Sequence, residues 1–158
     1  MAGDTYDRVT AHLASLRGAY SEFAVQQTSV SVSSADYDRL RRETECGVVE
    51  AGARVRDDSG RALAVRQDGL WCDPLGCVGP EETVEEAAHR VLREATGVEC
   101  RIVDLLGVRI VAATDRADPD REALYRLSAL FTAEYRTGDP REGCAWRTAP
   151  PGALPVDP

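Results

Sequence analysis

Two amphipathic helical patterns set among several apolar strand runs predict an α/β chain, with helices flanking a mixed β-sheet in an α/β/α sandwich. Near the N-terminus, Tyr6, Val9, Leu13, Leu16, Tyr20 and Phe23 recur at spacings of three and four, which places them on one stripe of a helix. A second helical pattern covers Glu82 to Thr96. The segment Arg101 to Ala113 carries a run of Ile, Val and Leu that reads as a strand, and Ala123 to Tyr135 is the longest strand candidate.

The elements follow in order. The first helix is expected from Asp4 to about Ala24, with Asp4 as N-cap, Asp7 in the positive first turn, and Gly18 as a weak point. Its heptad-like stripe suits either its own domain or a second copy of the chain in a homodimer. Gln26 to Ser34 is polar, with Val30 and Val32 alternating against Ser, and reads as an edge strand or an extended linker. Ser33 or Ser34 caps a short second helix to about Glu43. Gly47 to Arg56 is a strand, 57–60 (Asp-Asp-Ser-Gly) a turn, and Ala62 to Arg66 the returning strand. Trp71 to Val78 reads as irregular, Asp115 to Arg121 as a charged loop, and 137–140 (Thr-Gly-Asp-Pro) as a turn. The tail from Thr148 holds four Pro and reads as irregular.

Bulk properties narrow the function. A length of 158 residues with 43% hydrophobic content suits one globular domain with a full core. The net charge of -8 argues against a nucleic-acid-duplex surface, whereas a small anionic substrate needs only a local Arg pocket or a cation. All 19 basic residues are Arg. Five scattered Cys and the lack of a signal-like N-terminus read as free thiols in a cytoplasmic protein, with buried structural Cys as the default. No apolar run is long enough to span a membrane.

The stretch Gly76 to Val98 reads GCVGPEETVEEAAHRVLREATGV. On a helical wheel, Val84, Ala87, Ala88, Val91, Leu92 and Ala95 form one apolar arc. Glu82, Glu85, Glu86, His89 and Arg93 lie opposite, with Arg90 and Glu94 at a border. Taken alone this is an amphipathic helix lying on a sheet.

The same stretch resembles the Nudix box, G-x5-E-x7-R-E-U-x-E-E-x-G-U, where U is a bulky aliphatic residue. Gly76, Glu82, Arg90, Leu92, Glu94, Gly97 and Val98 match in register, while Val91 and Ala95 stand where two glutamates belong. The strand-turn-strand before it and the segment WCDPLGCVGPEE resemble the family's approach to the box, so the likeness covers Cys46 to Trp146. It implies a Nudix-type, MutT-like sandwich over residues 46–158, with 1–45 as an N-terminal helical extension. It also implies divalent-metal-dependent hydrolysis of a nucleoside diphosphate linked to another group, with Mg2+ or Mn2+ as cofactor in an active enzyme. Magnesium takes oxygen ligands and commonly uses one or two carboxylates together with substrate phosphates. Carried over by position, Glu94 is a catalytic and metal-ligating residue, Glu82 a second metal-site acid and Arg90 the residue that orients them. With Val91 and Ala95 offering no oxygen, the resemblance implies weakened or lost hydrolysis, the alternative being a nucleotide-binding or regulatory module. Asp118, Asp120, Glu122 and Glu142 are loop acids that could supply a base from outside the box, against the plainer reading of solvated loop residues. Arg66, Trp71 and Gly76 are expected to contact substrate, an Arg through phosphate and a Trp by stacking.

Overall fold

The computed structural model describes residues 4–148, apart from the side chain of Cys46; the Pro-rich tail from residue 149 lies outside the described residues. The elements run α1 (Asp4–Ala19), β1 (Ala24–Val32), α2 (Ser34–Cys46), β2 (Val49–Arg56), β3 (Ala62–Gln67), β4 (Leu70–Cys72), β5 (Leu75–Cys77), α3 (Val84–Thr96), β6 (Glu99–Asp115), β7 (Leu124–Thr137) and β8 (Cys144–Arg147). The strands form one mixed sheet in the order β1-β6-β7-β2-β3-β4, with β5 joined to β2 and β8 to β3. β1 runs parallel to β6 and β2 parallel to β7; the other pairs are antiparallel.

Strand alternation decides which side chains meet which helices. Val49, Ala51, Leu127, Ala129 and Phe131 face α1 and α3 and bury Val9, Leu16, Ala87 and Ala88 in the main core. Toward β3 the same layer continues through Ala53, Val55, Leu63, Leu92, Val98 and Ala133. On the other face, Leu40 of α2 lies over Val30, Val111, Ala113 and Leu124. Helices therefore cover both faces, as the α/β/α reading requires.

The N-terminal helix ends five residues earlier than its stripe suggests. Tyr20 still donates its backbone N–H to the Leu16 carbonyl, and Tyr20 and Phe23 still pack on the core. The chain leaves the helix just past Gly18 and gains nine residues of ladder with β6 instead. Asp4 lies inside the first turn, and the cap position before it falls outside the described residues. Ser33 caps α2, its side chain accepting from the Asp36 N–H at 3.2 Å.

The segment expected to be irregular, Trp71 to Val78, holds the end of one three-residue strand (Leu70–Cys72) and the whole of another (Leu75–Cys77). β4 closes a hairpin with β3 through the two-residue turn Asp68-Gly69, both at positive φ, a local signal that the sequence reading missed; β5 is fixed by pairing to β2, a distant partner that no local signal announces. Between them, Asp73 forms a bidentate pair with Arg54 at 3.2 and 2.9 Å, and both side chains are buried. Pro74 crosses β2 so closely that a Cβ on Gly52 would sit 1.9 Å from its carbonyl oxygen. Gly97 and Gly138 make the same kind of approach, a Cβ on Gly138 falling 2.5 Å from the Gly97 carbonyl oxygen.

Candidate active site

The segment from Gly76 to Val98 is a short strand, a loop, a helix and a turn. Thr83 caps α3, accepting from the Glu86 N–H at 3.1 Å while the Glu86 carboxylate accepts from the Thr83 N–H at 2.9 Å. This capping box was legible as Thr83-x-x-Glu86. It starts the helix at Val84 and leaves Glu82 in the loop before it, rather than on the helix as expected. Gly97 ends the helix at φ 78°, a left-handed conformation that favours glycine.

Glu82, Arg90 and Glu94 come together. Arg90 donates from Nε to Glu82 Oε2 at 2.7 Å and from Nη2 to Glu82 Oε1 at 3.0 Å. Its Nη1 reaches Glu94 Oε1 at 3.0 Å, and its Nη2 also reaches the Cys77 carbonyl at 2.7 Å. Glu82 Oε1 accepts a further bond from the Gly79 N–H at 2.8 Å. The Arg90 guanidinium and that N–H hold the Glu82 carboxyl down at about 2. Arg90 thus clamps the loop to the helix, with the i,i+4 spacing to Glu94 set by the helix itself.

Gly76, the first matched position, meets the box helix through Val91. A Cβ at Gly76 would lie 2.8 Å from Val91 Cγ2, and Val91 is 7% exposed. The Gly76 backbone pairs with Ala51 of β2. Ala95 departs from the expected apolar arc and is exposed. The fully buried Thr96, its Oγ1 bonded to the Leu92 carbonyl at 2.6 Å, takes the inward position of the last turn.

The carboxylates present supply only an incomplete set of oxygens for Mg2+ or Mn2+. Both Glu82 oxygens are bound by Arg90, Glu94 keeps one oxygen outside that network, and Val91 and Ala95 carry none. Among the described residues no group of three or more His, Cys, Asp or Glu is placed to hold a metal ion.

Other expected residues lie elsewhere. Arg66 and Trp71 are cross-strand neighbours on β3 and β4, the Arg66 guanidinium 5.5 Å from the indole centroid. Asp118 accepts from the Asp120 N–H within their own loop, and the Glu122 carbonyl accepts from Tyr37 of α2. Glu142 follows Arg141, which bonds the carbonyls of Glu94 and Thr96 and so closes the C-terminal end of α3. Glu85, expected to face solvent, accepts from the Tyr20 hydroxyl at 2.6 Å and ties the residue just past α1 to α3. His89 lies 3.9 Å from the buried Cys100 sulfur, and Cys77 is exposed rather than buried.

Two features near the box lay outside the sequence reading. Glu50 of β2, paired with Cys77 in register, accepts from the Ser128 hydroxyl at 2.7 Å. The alternation of Val49, Ala51, Ala53 and Val55 against Glu50, Arg54 and Arg56 carried that signal. Beside the loop, α1 walls a cleft of about 310 Å³ lined by His12, Leu16, Val78, Glu82, Thr83 and Glu85. No helix among the described residues is long and apolar enough to cross a membrane.

Comparison with known proteins agrees with this geometry. The family model of the NUDIX domain matches residues 48–158. Over 73 residues the chain is 34% identical to the RNA pyrophosphohydrolase of Erythrobacter litoralis (strain HTCC2594), a match covering 46% of this chain and 44% of that protein. The chain therefore spans less than half the length of that relative. The crystal structure of a MutT protein from Bacillus halodurans superposes with a TM-score of 0.53 at 19% identity, covering 63% of this chain and 67% of that one. A MutT protein from Methanosarcina mazei Go1 gives 0.49 at 20% identity, with 63% and 75% covered. The Bacillus halodurans likeness speaks for the fold alone. With a box in register on its loop and helix, and a family model spanning most of the chain, this protein belongs to the Nudix family.

Proposed function

We propose that this chain binds nucleoside diphosphate-linked compounds beside the box and hydrolyses them weakly, because its box lacks two of its oxygen donors. The observation that carries this reading is the packing of Val91 against Gly76, which fills with methyl groups the position of a box carboxylate. Loss of a general base costs roughly 10²–10⁴-fold in rate. In this reading Glu94, with one oxygen outside the Arg90 network, is the remaining catalytic and metal-binding acid. Arg90 positions it, Glu82 is the second acid of the site, and Arg66, Trp71 and Gly76 face the substrate.

The saturation of Glu82 by Arg90 favours a second reading, a nucleotide-binding or regulatory module without turnover. Phosphate release separates the two. The panel is nucleoside triphosphates, ADP-ribose, dinucleoside polyphosphates and 5′-triphosphorylated RNA, each with and without Mg2+ or Mn2+. The RNA is included because the curated relative is an RNA pyrophosphohydrolase. Slow metal-stimulated release that disappears in Glu94→Gln is the expected result. Thermal stabilisation by a nucleotide with no release supports the second reading. Turnover at a rate unaffected by Glu94→Gln removes the box from the chemistry.

A further inference from the structure

Trp71 carries two guanidiniums on its ring. Arg147 of β8 lies 4.7 Å from the indole centroid and Arg66 of β3 lies 5.5 Å from it. The register explains the gathering. Arg66 pairs with Trp71, Ala62 pairs with both Arg56 and Arg147, and residues 62, 64 and 66 share one face of β3. The small, buried Ala62 and Ala64 leave room on that face for the indole. This is the face opposite α1 and α3, and on it α2 packs over β6 and β7.

What sets this corner apart is that two arginines lie on one aromatic ring. Neither Arg66 nor Arg147 has a carboxylate partner or a side-chain hydrogen bond among the described residues, although the chain holds 27 acids against 19 basic residues. Arg56 spends a donor on the Gly60 carbonyl of its own turn. Arg66 and Arg56 are exposed, and Trp71 and Arg147 are half-buried. A planar indole under planar guanidiniums offers stacking surface and phosphate-binding donors at one place. That combination recognises unstacked bases joined by phosphates, whereas bases inside a duplex are not open to stacking.

We infer that Trp71, Arg66, Arg147 and Arg56 form a stacking platform for a short single-stranded polynucleotide. The inference rests on the assignment of Arg66 and Trp71 to the substrate and names the substrate class: one that continues as a nucleotide chain beyond the box. Trp71 and Gly76 are five residues apart, so chain length holds their Cα atoms within about 17 Å of each other.

The test is fluorescence anisotropy of the full chain with a labelled single-stranded RNA dodecamer. Binding is expected to weaken with salt at a log–log slope of roughly -0.7 for each phosphate contacted. Trp71→Ala is expected to weaken it roughly 5- to 150-fold, with Trp71→Tyr retaining most of it. Arg66→Gln combined with Arg147→Gln should lower both affinity and salt slope while circular dichroism stays unchanged. A single-stranded DNA dodecamer binding as well as RNA supports a platform that reads bases and phosphates alone. RNA-only binding supports one that also reads the 2′-hydroxyl. The inference is overturned if the dodecamer does not bind, if a duplex binds equally, or if a mononucleotide at the same concentration displaces it. Dodecamer binding without phosphate release leaves the platform standing and removes hydrolysis. Release from small substrates without dodecamer binding does the reverse.

Discussion

At the box, a guanidinium is saturated; at the corner of β3, β4 and β8, two are not. Arg90 makes four hydrogen bonds, three of them to carboxylate oxygens of Glu82 and Glu94. Arg66 and Arg147 lie over Trp71 with no acid against them among the described residues. The residue type is the same and the overall charge is the same, so the difference comes from neighbours within one side-chain length. Helix spacing brings Glu94 to Arg90, and the capped loop brings Glu82. Across the ladder Arg147 meets Ala62 and Arg66 meets Trp71, neither of them an acid. An arginine already answered by carboxylates fixes structure; one held only by an aromatic face keeps its donors for a ligand.

The buried limit of the saturated case gives the largest expected effect. Arg54→Met leaves Asp73 buried without its guanidinium and should cost about 3–5 kcal/mol in urea unfolding. A loss under about 1 kcal/mol would mean that water reaches Asp73 and that this corner is looser than its burial indicates. Next comes Val91→Glu, which restores the box pattern on paper. Because Val91 packs on Gly76, the longer side chain should cost about 2–4 kcal/mol and return no activity. Wild-type stability with a gain in phosphate release would show that the helix rotates to present this position. Thr83→Ala removes the cap that separates Glu82 from the helix and should cost about 1 kcal/mol by thermal unfolding.

The smallest effect is a pH dependence. Glu82 is held at about 2 in the folded chain, below the ordinary glutamate value of 4.5. A depressed carboxyl contributes stability that is complete above the unfolded value and lost as pH falls through the folded one. Glu82→Gln should therefore flatten the acid side of the stability curve between about pH 4.5 and 2. Parallel curves for the two proteins across that window would place Glu82 away from Arg90 in solution.

The amphipathic pattern of 84–96, the cap at Thr83 and the glycine at 97 are local signals, so the box helix was readable to within two residues. The N-terminal stripe was readable for the same reason, yet its end was not. Leaving the helix near Gly18 depends on the ladder that residues 24–32 form with residues 107–115. The site divides in the same way. Glu82, Arg90 and Glu94 are linked by a loop and one helical turn, and their pairing follows from spacing. Glu50 beside Cys77, and Arg147 over Trp71, depend on strand register between distant segments.

Chain order by itself determined the α/β class, the register of the box and the absence of two of its carboxylates, because each depends on residues a few positions apart. The tertiary structure alone decided that Val91 is locked against Gly76, that Ala95 is open, that Asp73 is buried against Arg54, and that three arginines share a face with Trp71. Those outcomes are set by which strands pair and in what register, and a shift of one residue would turn every one of those strand side chains to the opposite face.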